Sequence, residues 1–178
     1  DGDEIVSVDI TDGSKKIIIA TRKGMSIKIN ETDARPMSRT AHGVRAINLR
    51  EGDYVVGMGI ERENSYVLTL TEGGYGRRTA CEEYKVQGRG GLGLMNYKTD
   101  EIRGEVCGIS IVDDTQDVIV TSTGGVVIRF LSSDVNVFAR GAKGVKIMRF
   151  RNDGEKAAAL LSIAHEEEKT EETTEENS

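Results

Sequence analysis

Three stretches decide the fold: IIIATRKG at 17–24, VLTLTEGG at 67–74 and VIVTSTGG at 118–125. Each is a short β-rich run closed by a glycine turn. The closing glycines, Gly24, Gly74 and Gly125, lie 50 and then 51 residues apart. Other landmarks keep the step. A basic residue follows four positions on, at Lys28, Arg78 and Arg129. An acid follows at Asp33, Glu83 and Asp134. Next comes an arginine among small residues, at Arg39, Arg89 and Arg140, with glycine four further at Gly43, Gly93 and Gly144. Each unit ends in an apolar run reaching Ile60, Ile111 or Ile163. Self-similarity at a fixed period near 50 is the signature of stacked repeats.

Each unit reads as four strands, in the first about 16–21, 25–30, 43–49 and 53–61. The tight turn Arg22-Lys23-Gly24 makes the first two a hairpin. The run KAAALLSI, 156–163, has helical propensity, but its place in the repeat assigns it to a strand. IVSVDI, 5–10, ends 50 residues before Ile60 and reads as the last strand of a preceding unit. The expected organisation is a leftover strand in 1–10, blades at 11–61, 62–112 and 113–165, and a disordered acidic tail at 166–178. Four strands per period suggest propeller-type blades that stack on their neighbours.

The 178 residues carry a net charge of −6. Seven glutamates against one lysine in 166–178 account for all of it, so 1–165 is neutral. The bulk charge therefore describes the tail and does not exclude a polyanionic partner. Inside the body charge is segregated. Nine basic residues face two acids in 15–50, and six face one in 126–151. No apolar run approaches a membrane span, and the N-terminus has no signal-peptide pattern. Two cysteines, Cys81 and Cys107, make no disulfide framework or zinc site and read as packing residues. His42 and His165 are the only histidines, and no spacing marks a catalytic triad or carboxylate pair.

Gln87-Gly88-Arg89-Gly90-Gly91-Leu92-Gly93 contains G-x-G-x-x-G, but no amphipathic helix follows, which excludes a dinucleotide site. A structural turn is one account of it. The other uses the repeat: SRTAHG and ARGAKG fill the same slot. Small residues let backbone amides approach an anion, and the arginine adds a forked donor. Three such slots in a row, on Arg39, Arg89, Arg140 and Lys143, suit a nucleic-acid backbone. Lys28, Arg78, Arg129, Arg45 and Lys146 form a second tier. A protein-interaction propeller using a blade face is the alternative from another class.

TEGGYGRRTACEEYKVQGRGGLGL (71–94), SRTAHGVRAINL (38–49) and ARGAKGVKIMRF (139–150) resemble blades of the C-terminal domain of the bacterial DNA gyrase A protein. The resemblance implies an all-β pinwheel, a propeller-like disc whose blades exchange strands. It implies a basic rim that bends duplex DNA without reading sequence and presents a segment for strand passage during ATP-dependent negative supercoiling. The chain is similar to the second half of that disc. The family's hallmark box, Gln-Arg-Arg-Gly-Gly-(Arg/Lys)-Gly, is matched at five of seven positions in 87–93. The corresponding domain of topoisomerase IV is the sister reading. The resemblance further implies a cytoplasmic, nucleoid-associated protein partnered by the remainder of the gyrase A protein and by the gyrase B protein. ATP and magnesium belong to that type IIA topoisomerase holoenzyme. No cofactor, metal, membrane or active site is expected in this stretch. The open ends of three blades predict self-association.

Overall fold

In a computed structural model, residues 4–165 are described. They form eleven strands: β1 Lys16–Thr21, β2 Met25–Asn30, β3 Val55–Ile60, β4 Tyr66–Thr71, β5 Tyr75–Ala80, β6 Leu94–Met95, β7 Val106–Val112, β8 Gln116–Ser122, β9 Val127–Leu131, β10 Val145–Lys146 and β11 Ala157–Ala164. The strands make three sheets, ordered β3-β1-β2-β6, β10-β5-β4-β7 and β11-β8-β9. Each is built on an antiparallel hairpin, β1-β2, β4-β5 or β8-β9. The run Ala157–Ala164 is a strand paired along β8, so tertiary pairing overrides its helical propensity.

Strands cross between units. β6 belongs by sequence to the second unit but pairs with β2 of the first, Met25 opposite Met95 and Ser26 opposite Leu94. β10 repeats this on β5, Val145 opposite Gly76. The chain is therefore an all-β, strand-exchanged array of propeller-like blades. Exchange also explains three departures from the four-strand expectation. Segment 43–49 forms no strand and keeps only a bridge from Ile47 to Gly91, because its equivalents pair with a hairpin one unit upstream. Residues 5–10 likewise form no strand and pair with no hairpin among the described residues. The third sheet has three strands rather than four, since among the described residues nothing pairs with the outer edge of β9. The acidic run 166–178 lies outside the described residues.

The core lies between sheets rather than within one. Ile18 and Ala20 of the first blade pack with Val67, Val106, Ile109 and Ile111 of the second. Leu68, Leu70 and Val112 of the second pack with Val118, Val120 and Ala157 of the third. β1 and β4 are accordingly buried on both faces, β1 as the apolar run Ile17–Ala20 and β4 with Thr69 and Thr71 buried among its apolar residues. The last strands of successive units, β3, β7 and β11, stack on one another. Gly57 and Gly59 let β3 close on Ile109 and Ile111. The exchanged strands sit at the opposite edge of their sheets. The long loops leading to them therefore lie on the outer rim.

Candidate nucleic-acid interface

Each rim loop leaves its hairpin through a 3-10 turn, at 31–33, 81–83 or 132–134, and carries one of the slot arginines. The loops overlap like tiles. In the second unit, Arg89 Nε donates to the Asp33 carbonyl at 3.0 Å. The Gly90 amide donates to the Ala46 carbonyl at 2.6 Å, and the Asn48 amide donates to the Gly91 carbonyl at 2.8 Å. In the third unit the Arg140 amide donates to Glu83 Oε2 at 3.1 Å, and Arg140 Nη1 donates to the Met95 carbonyl at 3.0 Å. Asp33 and Glu83 are the same repeat position, so each loop docks on the turn of the unit before it. The slots of adjacent units are thereby contiguous.

The fourth-position glycines explain how. Gly93 and Gly144 have φ of +74° and +72°. A Cβ on either would strike the carbonyl of Ser26 or Gly76, at 2.9 or 2.8 Å from the carbonyl carbon. Only glycine lets the crossing strand enter its neighbour's sheet this closely. The box-like loop is thus structural at Gly90, Gly91 and Gly93, while Gly88 and Arg89 are exposed. The Gln87 backbone N–H donates to the Lys28 carbonyl at 2.8 Å. Leu92, where the hallmark has a base, stands 55% exposed.

Arg39, Arg45, Arg89, Lys143 and Lys146 are exposed and Arg140 is half-buried, all on rim loops or crossing segments. Lys146 Nζ is steered by the Gly73 carbonyl at 2.7 Å and lies over the Tyr75 ring at 4.5 Å.

Two of the second-tier residues do not belong to this surface. Lys28 is 4% and Arg78 5% exposed. Lys28 pairs with Glu61 and donates to the Cys81 carbonyl of the next unit at 3.0 Å. Arg78 pairs with Asp114, donates from Nε to the Val135 carbonyl at 2.7 Å and lies over the Tyr66 ring at 4.6 Å. Both clamp one unit to the next. A buried cation that already satisfies an acid and a carbonyl is closed to a phosphate. Arg129, the third equivalent, is not covered by another unit among the described residues. Its side chain stays half exposed and binds Asp117, Nε to Oδ2 at 2.8 Å, whose other oxygen meets His165 Nδ1 at 2.9 Å. The hydrogen bond from Arg129, reinforced by His165, holds the Asp117 carboxyl below its usual range.

One residue was missed by sequence reasoning. Arg77 is fully buried without a carboxylate. Its guanidinium donates to the Ala142 carbonyl at 3.0 Å, and to the carbonyls of Asn96 and Arg140 and the Thr79 hydroxyl. Tyr97 adds its hydroxyl to the Lys143 carbonyl from beneath the same loop. Arg77 and Tyr97 thus fix the backbone that presents Arg140 and Lys143. The available signal was the pair Arg77-Arg78: adjacent strand residues face opposite ways, so at least one had to point into a sheet interface.

Among the described residues no three histidine, cysteine or carboxylate side chains gather as metal ligands. No helix there is long and apolar enough to cross a membrane.

The repeat has counterparts among known proteins. A family model described as the DNA gyrase C-terminal domain, beta-propeller, matches residues 15–60, 65–112 and 116–164. The chain belongs to the DNA gyrase C-terminal domain family. The DNA gyrase A protein of Staphylococcus aureus (strain MRSA252) is 37% identical over 176 residues, covering 97% of this chain and 20% of that protein. The DNA gyrase A protein of Staphylococcus epidermidis (strain ATCC 12228 / FDA PCI 1200) is 36% identical over 168 residues, 93% of this chain and 19% of that one. The chain thus spans about a fifth of the curated relatives it matches. Among solved structures, a DNA gyrase A C-terminal domain superposes with a TM-score of 0.77 at 26% identity, covering 84% of this chain and 50% of its own. The C-terminal domain of a DNA topoisomerase IV gives 0.83 at 18% identity, covering 89% and 50%, a likeness of fold.

Proposed function

We propose that this gyrase C-terminal domain chain binds duplex DNA along its rim, bends it without reading sequence, and so acts as a DNA-wrapping part of a DNA gyrase A protein. One observation carries the reading: slot arginines recur at the unit step on rim loops, Arg39 and Arg89 exposed and Arg140 half-buried, and the second and third of these loops dock on the unit before. Arg39, Arg89, Arg140 and Lys143 supply the first phosphate contacts, with Arg45 and Lys146 beside them. Exposed Arg129 sits at the margin, its charge shared with Asp117. A guanidinium fork on a small-residue loop fits a phosphate, and a phosphate contact fixes position without carrying sequence. Bending about 30 base pairs takes several kcal/mol, which regularly spaced contacts along an arc offset.

Gyrase relatives at 36–37% identity favour the gyrase reading over topoisomerase IV. In that assignment the chain works in the cytoplasm, on the nucleoid, within an ATP- and magnesium-dependent type IIA topoisomerase built with the remainder of the gyrase A protein and the gyrase B protein. Strand cleavage and ATP hydrolysis are left to those parts. The test is a DNA-binding titration at several salt concentrations. With about 4 to 6 phosphates neutralised, the log–log slope should be roughly −4 to −5, equal for unrelated duplexes. A flat salt response, or one preferred sequence, would refute it.

A further inference from the structure

The second unit departs from the repeat at one cluster of positions. In the first unit Ile19, Ile27, Ile29 and Ile47 form an apolar floor, with Ala46 packed against it. Counting by the unit step, the second unit has Thr69, Arg77, Thr79, Tyr97 and Asn96 in those places. The third unit returns to apolar residues, Val120, Ile128, Phe130, Met148 and Ile147. The repeat therefore does not need the polar set, and its hydrogen bonds call for another account. Part of the set satisfies itself. Asn96 Oδ1 accepts from the Tyr84 hydroxyl at 2.7 Å, and Asn96 Nδ2 donates to Thr69 Oγ1 at 3.1 Å. Arg77 instead reaches the rim loop 139–144.

The consequence shows when two rim loops are compared bond by bond. The second loop lies directly on the segment 46–48 beneath it. The Gly90 amide donates to the Ala46 carbonyl at 2.6 Å, the Asn48 amide donates to the Gly91 carbonyl at 2.8 Å, and Ile47 and Gly91 form a parallel bridge. Under the third loop the corresponding carbonyls, of Asn96 and Ala142, both accept from Arg77, the latter from Nε at 3.0 Å. Gly141, the counterpart of Gly90, donates to no acceptor among the described residues, and no bridge joins Tyr97 to Ala142. Both loops nevertheless keep their bridge to the upstream hairpin, Lys28 with Val86 and Arg78 with Val137. The difference is local to the guanidinium, which stands between the third loop and the segment 96–98.

Where the carbonyls point decides where the amides point. In a trans peptide the C=O of one residue and the N–H of the next face opposite ways. Arg77 holds the carbonyls of Arg140 and Ala142 inward, and the Tyr97 hydroxyl holds that of Lys143. The amides of Gly141, Lys143 and Gly144 therefore face outward, and none has an acceptor among the described residues. Successive N–H groups turned to one side at a left-handed residue make an anion cradle, and Gly144 has φ +72°. The Lys143 side chain is exposed beside them, and the Arg140 guanidinium is fixed by the Met95 carbonyl at 3.0 Å. The Arg140 amide is taken already, by Glu83 Oε2 at 3.1 Å. Beneath the loop Arg77 is fully buried and pairs with no carboxylate among the described residues. A buried cation without a counter-ion is costly, and an anion seated on the loop above offsets that cost. We propose that Arg77 is a positioning residue that lifts the third loop off its floor and turns the amides of Gly141, Lys143 and Gly144 outward, so that with Arg140 and Lys143 they form a preformed cradle for one phosphodiester. The second slot lacks this cradle, having its Gly90 amide bound and Leu92 where Lys143 stands. This rests on the reading of the rim as a DNA surface and names the phosphate it grips hardest.

The experiment follows single backbone amides of the 178-residue chain by heteronuclear NMR, in the wild type and in Arg77→Met, with two short duplexes of unrelated sequence. In the wild type either duplex should shift the amides of Gly141, Lys143 and Gly144 at the lowest concentrations, and that of Gly90 little. A duplex that binds and moves other rim amides while these three stay unmoved would overturn the proposal and leave the DNA reading standing. A chain that binds neither duplex would fail the DNA reading itself, and the cradle with it. In R77M the third loop is free to settle into the bonds of the second, with the Gly141 amide on the Asn96 carbonyl. Hydrogen exchange at Gly141 should then slow by at least about 10-fold, although removing a buried donor speeds exchange elsewhere. DNA binding should weaken about 10-fold at low salt, with the salt slope reduced by about 1, equally for both duplexes. A residue that only supports the fold would speed exchange at Gly141 along with its neighbours. That result, or wild-type affinity in the folded variant, would overturn the proposal. Circular dichroism checks that R77M folds; if it does not, the wild-type titration decides alone.

Discussion

Lys28 and Arg89 carry the same charge but opposite assignments, and the difference is what surrounds each head group. Lys28, like Arg78, ends among an acid and a carbonyl of the following unit, out of water. Replacing Arg78 by methionine leaves the Val135 carbonyl and Asp114 without their donor and should destabilise by about 3 kcal/mol, read by urea denaturation. Arg89→Ala removes one hydrogen bond at an exposed site and should stay within about 0.5 kcal/mol of wild type. Its effect should appear in DNA titrations, as weaker binding for every sequence and a salt slope reduced by about 1. If R78M instead lost affinity at unchanged stability, the clamp assignment would fail. The cysteines give a second check. Burial pushes the Cys81 thiol up to about 11 and the Cys107 thiol up to about 12. Both values are raised by folding, so the stability they contribute is complete below the pKa of an unfolded thiol and is lost as pH climbs through 11 and 12. At pH 8 both should resist a thiol reagent until the chain is denatured.

At the scale of the element, the exchanged strands are only two residues long, so the glycine before each decides whether the crossing exists. Gly93→Ala and Gly144→Ala combine a disfavoured φ with a collision against backbone that cannot swing aside. Each should lower stability by about 2–4 kcal/mol, against less than about 1.5 for Gly13→Ala, where only the strained φ applies. Equal melting points for the three would show that the crossings contribute little. The hairpins were legible to the residue, 16–21 and 25–30, because a hairpin's partner is its sequence neighbour and its turn chemistry is local. Segments 5–10 and 43–49 read as strands and are not. Their composition is right, but a strand exists only with a partner, and partner identity is not written in the segment. The rim slots were legible for the same local reason as the hairpins: small residues and arginine announce an exposed loop. The depth of Lys28 and Arg78 was not, since a long basic side chain has the same sequence signature whether it reaches water or the neighbouring blade. Arg77 was hidden further, because its acceptors are carbonyls, and any residue supplies those.

For the whole molecule, a core placed between blades makes each unit's stability depend on its neighbour. Leu68, Leu70 and Val112 of the middle blade are covered by Val118, Val120 and Ala157 of the last. Full burial of such side chains is worth about 1.5–3 kcal/mol each, so three of them approach the whole stability of an ordinary domain, about 5–15 kcal/mol. The three units should therefore unfold together. Urea curves followed by far-ultraviolet circular dichroism and by tyrosine fluorescence should coincide, with Tyr84 and Tyr97 reporting the first junction and Tyr66 the second. Stopping the chain after Val112 provides the sharper test. It removes β8, β9 and β11 and also strips β10 from the middle sheet, leaving β5 with an open edge. The first blade keeps β6 and its cluster of Ile19, Ile27, Ile29 and Ile47. Hydrogen exchange on the truncated chain should thus find the amides of β4 and β5 largely unprotected while those of β1 and β2 remain slow. Protection falling equally in both hairpins would mean that stability is shared over the array rather than passed from blade to blade, and protection kept in both would mean that each blade stands alone.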